Sequence, residues 1–198
     1  MAGLVQAELH RELLAAAIPR DADGQRALLG GDEDRARAAF QVAAGLYRQS
    51  WEAAPPRSYG RLVGMLKSSV LAGNGRKSGD YVRGAIADSE AGSPTAAYAR
   101  AIAALIADDD HAAQIWASQM RGASDAFDRT ANAIIALARR DRAAYGAALE
   151  AIVRDFERRI DHLTGVAIAD TALVLERLAA DRDITVTVIS PLLPRPSR

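Results

Sequence analysis

The stretch "RAIAALIADDDHAA", residues 100–113, aligns without gaps with "NAIIALARRDRAAY", residues 132–145, at an offset of 32. In each, a run of Ala, Leu and Ile leads into a charged turn, and a second Ala-containing run follows. Ala is the strongest helix former and Leu is close behind it, so both runs read as helices. Helix pairs that recur near the roughly 34-residue period of tetratricopeptide repeats predict stacked antiparallel hairpins. The Trp-Leu-Gly-Tyr pattern of those repeats is absent, which leaves two arrangements open: a plain bundle, or a short TPR-like right-handed solenoid.

The first of these turns holds Asp108, Asp109 and Asp110, followed by His111. A tight interhelix turn needs side-chain oxygens for orphan backbone N–H groups, and negative charge suits a helix N-terminus. Capping therefore accounts for all three aspartates. A metal site would need ligands from elsewhere, yet the other histidines are only His10 and His162, with no HExxH or Glu-x-x-His pair. Nor is the run the DDxxD of terpenoid synthases, since Ala112 stands at the last position. Neither a metal nor another cofactor is expected.

Outward from this core, cap signals set the remaining helices. One runs from about Gly3 to Ala17 and is stopped by Pro19. Gly30-Gly31 breaks the chain, and Asp32 caps a helix that lasts to about Trp51, with Ala36, Phe40, Ala43 and Tyr47 on one face. Ser58 caps the next, which "GNG" at 73–75 ends. Ser78 opens another, to about Ser89, and Ser93-Pro94 starts the helix that leads into the aspartates. Ser124 and Asp141 cap two more, the second closed by Thr164-Gly165, and "IADTALVLERLAADR" forms the last. "DITVTVIS" then alternates β-branched and apolar residues before "PLLPRPSR" excludes helix. The expectation is an all-α domain of eight or nine helices over 1–183, and an extended, proline-containing tail over 184–198 laid against the helices.

Composition agrees. The 198 residues include 44 alanines and are 49% hydrophobic and 5% aromatic, enough to bury a core in which helices approach closely on small side chains. With no cysteine, disulfides, thiolate metal sites and thiol catalysis are excluded. Charges interrupt the first apolar stretch, unlike a signal peptide, and no window approaches a membrane span, so a cytoplasmic protein is expected. Zero net charge gives nucleic acid or anionic membrane little attraction. A tetracycline-repressor-like DNA reader is disfavoured as well, because residues 1–34 carry seven acidic and three basic side chains.

Motifs for chemistry are scarce. "GNGRKSGD" at 73–80 lacks the spacing and the preceding strand of a phosphate loop, and reads as a turn between helices. No G-x-S-x-G or serine with a nearby histidine is present, so no catalytic residue is assigned and the sequence leans away from an enzyme. His10, among Glu8, Arg11 and Glu12, reads as solvated. Residues 57–83 carry six basic side chains against Asp80 alone, and within them Arg76, Lys77, Arg83 and Arg61 are the candidate partner-binding residues.

"SYGRLVGMLKSSVLAG" (58–73), "SPTAAYARAIAALI" (93–106), "FERR" (156–159), "VAIADTALVLERLAA" (166–180) and "SPLLP" (190–194) together resemble an uncharacterised all-helical protein family of high-GC Gram-positive bacteria. The resemblance covers most of residues 50–194, with Tyr59 standing where Trp is expected. More distantly, the chain is similar to all-helical immunity proteins of polymorphic toxin systems. The resemblance implies a fold and no chemistry.

Two functions follow as expectations. One is a non-enzymatic protein-binding module, immunity-like or regulatory, whose partner presents an acidic surface; a homodimer is also compatible. The alternative is a small-molecule-binding or enzymatic helical domain with a pocket near Asp170, Thr171 and His162, of which Asp170 and Thr171 interrupt the apolar run "VAIADTALVL".

Overall fold

In the computed structural model, which describes residues 2–87 and 92–194, all regular structure among the described residues is helical. The helices are α1 (Ala2–Leu29), α2 (Glu33–Ala53), α3 (Gly60–Leu71), α4 (Gly75–Ala85), α5 (Pro94–Ile106), α6 (Asp110–Ser118), α7 (Asp125–Ala138), α8 (Arg142–Glu157) and α9 (Asp170–Ala180). They form antiparallel hairpins: α1 with α2, α3 with α4, α5 with α6 and α7 with α8.

One turn joins every hairpin. Gly31, Gly73, Asp108 and Arg140 each adopt the left-handed backbone conformation just past a helix. The next residue, Asp32, Asn74, Asp109 or Asp141, donates its N–H to a carbonyl five residues back at 2.9–3.0 Å. That bond, with the one from the left-handed residue to the carbonyl three back, is the Schellman closure, and it satisfies carbonyls the helix leaves orphaned. The same Asp32, Asp109 and Asp141 then accept the N–H three residues on, at 3.1, 2.9 and 3.0 Å, as N-caps of the following helix. One residue therefore ends one helix and begins the next. The turn recurs a fifth time at Asp183, after α9, but Ile184 follows and has no oxygen with which to cap a helix. The chain leaves extended.

Successive hairpins stack through their first helices, α3 on α5 and α5 on α7, while the second helix of each packs on the first of the next. In the middle, α5 buries Ala96, Ala97, Ala99, Ala101, Ala103 and Ala104, so its neighbours close on small side chains from nearly every side. Between α1 and α2 the approach depends on Gly24, where a Cβ would stand 2.7 Å from the Phe40 ring. Finally α9 folds back over the row, against α3, α7 and α8.

Several helix limits differ from the sequence reading. Pro19 does not stop α1, which continues to Leu29. Pro19 and Ala15, whose carbonyl loses its partner, are both exposed, so that carbonyl is not buried unpaired and the loss costs less than it would in a core. Packing of Ala22, Ala27 and Leu28 outweighs the local preference. Ser58 does not cap α3; its hydroxyl donates to the Pro55 carbonyl at 2.8 Å, and the helix starts at Gly60. Nor does Ser78 open α4, because the turn at Gly73 delivers the chain into helix at Gly75, and Ser78 Oγ lies 2.7 Å from Ser69 Oγ instead. That helix ends at Ala85; the anticipated end at Ser89 lies outside the described residues. Similarly, α8 ends at Glu157, where N–H groups of Arg158 and Arg159 bond three residues back, and Thr164-Gly165 falls in the loop that follows.

The tail lies along α8 and α9 without forming a strand. Arg142 donates to the Thr185 carbonyl at 2.7 Å, Ser190 to Glu157 at 2.8 Å, and the N–H of Ala169 to the Leu192 carbonyl at 3.0 Å. Ile184 is buried, and Val186, Val188, Leu192 and Leu193 pack on the core. Tail residues 195–198 lie outside the described residues.

Candidate functional site

The return of α9 over the stacked hairpins encloses a cavity of about 310 Å³. Its floor is polar and comes from helices far apart in sequence. On α1, Ala17, Asp21, Gly24 and Leu28 follow helical spacing and are all buried, which carries a carboxylate into the core along an apolar stripe. Asp21 is 9% exposed. It accepts hydrogen bonds from Tyr47 Oη at 3.2 Å and Ser68 Oγ at 3.4 Å. From α3, Lys67 Nζ reaches Asp170 at 2.5 Å and donates to Thr171 Oγ1 at 3.2 Å, both at the start of α9. Tyr98 of α5 completes the floor.

Burial sets the electrostatics of this floor. It raises the Asp21 carboxyl most, the Asp170 charge adds to it, and Lys67, Tyr47 and Ser68 offset only part, leaving a pKa of about 6. Burial opposes the charge of Lys67, but Asp170, Tyr98 and Asp21 outweigh it and hold the ammonium above its ordinary value. The Tyr47 and Tyr98 hydroxyls are raised, chiefly by burial, and stay protonated.

The mouth is charged and aromatic. Arg129 of α7 meets Asp155 of α8 at 2.6 Å, Arg159 meets the same carboxylate at 2.7 Å and Arg158 approaches it at 4.0 Å, so three guanidinium groups share one partner. Arg159 also lies over the Phe156 ring at 3.7 Å. Asp161, His162 and Leu163 of the loop after α8 form the rim, and Thr164 anchors that loop by donating to Gln25 of α1 at 2.5 Å. Apolar walls come from Phe127, Ile152, Phe156, Val166 and Ile168.

Asp170, Thr171 and His162, the sequence's alternative pocket, all line this one cavity, with Asp170 and Thr171 at the floor and His162 at the rim, its ring 6.2 Å from that of Phe156. Sequence reasoning missed Asp21, Lys67, Tyr98, Arg129, Asp155 and Arg159. For Asp21 a signal existed, since an acidic residue falls in the stripe of Ala17, Gly24 and Leu28. The others are brought in by contacts between helices.

The basic cluster is not one surface. Arg61 turns inward, donating to Ser50 Oγ at 2.8 Å, with its other guanidinium nitrogen 2.8 Å from His10 Nδ1. His10 is therefore buried rather than solvated; burial and the Arg61 charge lower its pKa. Arg83 is bonded to Asp80, one turn away on α4. Arg76 and Lys77 remain exposed side by side in the first turn of α4.

The three aspartates have separate roles, which corrects the reading that all of them cap. Asp109 alone is the N-cap of α6. Asp108 supplies the left-handed turn residue, and Asp110 accepts from Arg182. Among the described residues, no group of three or more His, Cys, Asp or Glu side chains is gathered to hold a metal ion, and no helix is long and apolar enough to cross a membrane. Compared with protein-family models, curated proteins and solved structures, the chain matches none of them.

Proposed function

We propose that this chain is a small-molecule-binding domain whose ligand occupies the cavity between α1, α3, α5, α7, α8 and α9. The observation that carries this reading is the polar floor of Asp21, Lys67, Asp170 and Thr171 beneath apolar walls, the combination by which binding pockets fix orientation and supply affinity. Binding is favoured over turnover because Lys67 is held protonated against Asp170, which occupies the amine that would otherwise serve as base or nucleophile. Stacking through α3, α5 and α7 supports a tetratricopeptide-like arrangement filled by α9.

A thermal-shift screen of metabolites tests the reading against Ala126→Trp, which puts an indole at the exposed cavity mouth. At least one compound should stabilise the native chain saturably and fail with the variant. Lack of any saturable shift, or equal shifts in both proteins, would reject it. A second reading, a protein partner with an acidic surface, is favoured by the adjacent exposure of Arg76 and Lys77. Its test is Arg76→Glu with Lys77→Glu in co-purification from the native cell: a partner retained equally by the variant rejects that surface.

A further inference from the structure

The charges around the cavity do not cancel. Among the lining charges of the mouth, Arg129 and Arg159 both pair with Asp155, and Asp161 on the rim brings the balance there to two of each sign. At the floor, Asp21 and Asp170 face Lys67 alone. The lysine is committed to Asp170, while Asp21, nine-tenths buried, receives only neutral hydroxyl donors, one on each oxygen. A carboxylate offers roughly four lone-pair sites. Asp21 therefore keeps an open acceptor position on each oxygen and has no cation bonded to it, at the bottom of a cavity it lines. Burying such a group is costly unless a positive charge completes it.

We infer that the ligand of this cavity is a small protonated primary amine, its ammonium seated on Asp21 and its apolar body lying against Phe127, Ile152 and Phe156. The inference rests on the small-molecule reading above and names the chemical class. An ammonium has three donors and one charge, which fits the open acceptors of Asp21 and the single uncompensated negative charge. The two phenylalanine rings suit a flat apolar body more than a second polar group.

The probes are 2-phenylethylamine, its neutral isostere 2-phenylethanol, and 3-phenylpropionate as the anion, titrated calorimetrically into the full chain. At pH 7.5 the amine should bind at least about tenfold more tightly than the alcohol, as a charge-assisted bond to a buried carboxylate requires. Asp21→Asn should remove that preference. With the Asp21 pKa at about 6, roughly a tenth of it is ionised at pH 5, so amine affinity should fall about tenfold from pH 7.5 in the native chain and stay level in the variant.

Facing Asp21 are Tyr47 from α2, Lys67 from α3 and Asp170 from α9; Tyr98, Arg129, Asp155, Arg159, Asp161 and His162 complete the titratable and charged lining. The asparagine variant separates Asp21 from the rest, His162 at the rim included. Circular dichroism of the variant establishes that it is folded, and Lys67→Met, which leaves Asp21 in place and removes the competing cation, should strengthen amine binding. Equal or tighter binding of the alcohol or the anion, blocked by Ala126→Trp, would overturn the amine and leave the ligand reading standing. Amine binding unaffected by Ala126→Trp would remove both. Binding of none of the three probes, or an unchanged preference in Asp21→Asn, also overturns the inference, and the metabolite screen then judges the cavity separately.

Discussion

The guanidinium of Arg182 and the carboxylate of Asp110 form the buried clasp that holds the end of α9 against the turn between α5 and α6. Nε and one terminal nitrogen of Arg182 both reach Asp110 Oδ1, at 3.0 and 2.8 Å. The arginine side chain is 1% exposed and also donates to the Leu105 and Leu178 carbonyls at 2.9 and 3.1 Å, with Asp108 at 3.3 Å. Its charge thus faces two carboxylates, with Asp110 the nearer, and its remaining donors go to two chain carbonyls, which makes the burial tolerable.

From this geometry the three aspartates should separate in urea denaturation. Asp110→Ala leaves the buried guanidinium without its main counter-charge and should cost roughly 3 kcal/mol or more. Asp109→Ala loses an N-cap and should cost about 1 kcal/mol. Asp108→Gly, at a backbone position glycine favours, should be close to neutral. Equal losses at all three positions would contradict the assignment.

Asp21 makes stability depend on pH. Its folded pKa of about 6 lies above the ordinary 3.8, so the folded chain holds a proton that the unfolded chain has already released. Stability should therefore fall as pH rises from about 4 to about 6 and stay lower beyond, by as much as about 3 kcal/mol from this group. Asp21→Asn, measured by urea melts from pH 4 to 7.5, should be the more stable protein at pH 7.5 and lose that advantage by pH 4. Parallel curves for the two chains would contradict the burial argument.

The repeated turn gives a third expectation. Arg140 is a non-glycine residue in the left-handed region, at φ 56°, whereas Gly31 fills the equivalent place at φ 79°. Arg140→Gly should stabilise by up to about 1 kcal/mol and Gly31→Ala should destabilise by a similar amount. Thermal melts of the two variants moving in the same direction would show that the turns are not equivalent.

Truncation after Asp183 removes Ile184, Val186, Leu192 and Leu193 from the core and uncovers the face of α8 and α9 beneath them. The truncated chain should melt several degrees lower and aggregate more readily. An unchanged melting temperature, with the tail cleaved by protease in the intact protein, would mean the docking contributes nothing.

These cases also mark what a sequence can and cannot convey. Caps at Asp32, Ser93, Ser124 and Asp141 were legible because a cap bonds to a backbone N–H three residues away. The 32-residue offset between the two turns was legible for the same reason: each Schellman closure spans six residues. Pro19 misled because its cost is local while the packing that overrides it is on α2. His10 misled because its neighbours in sequence are charged, while its neighbours in space are Ser50 and Arg61. At the cavity, Asp170 and Thr171 showed as breaks in an apolar run, but Asp21 and Lys67 take their meaning from helices that meet only in the folded chain.

The position of α9 imposes an order on assembly. The hairpins from α1 to α8 close through turns of a few residues, so each can form as soon as it has been synthesised. The floor of the cavity cannot, because Lys67 waits for Asp170, and the surface pair between Glu33 on α2 and Arg177 on α9, 144 residues further along, is delayed in the same way. Contacts at such separation form late. In a nascent chain the stacked hairpins therefore precede the helix that closes over Asp21, and the cavity between them exists as an enclosed space only once α9, the last helix among the described residues, has been made and drops into place.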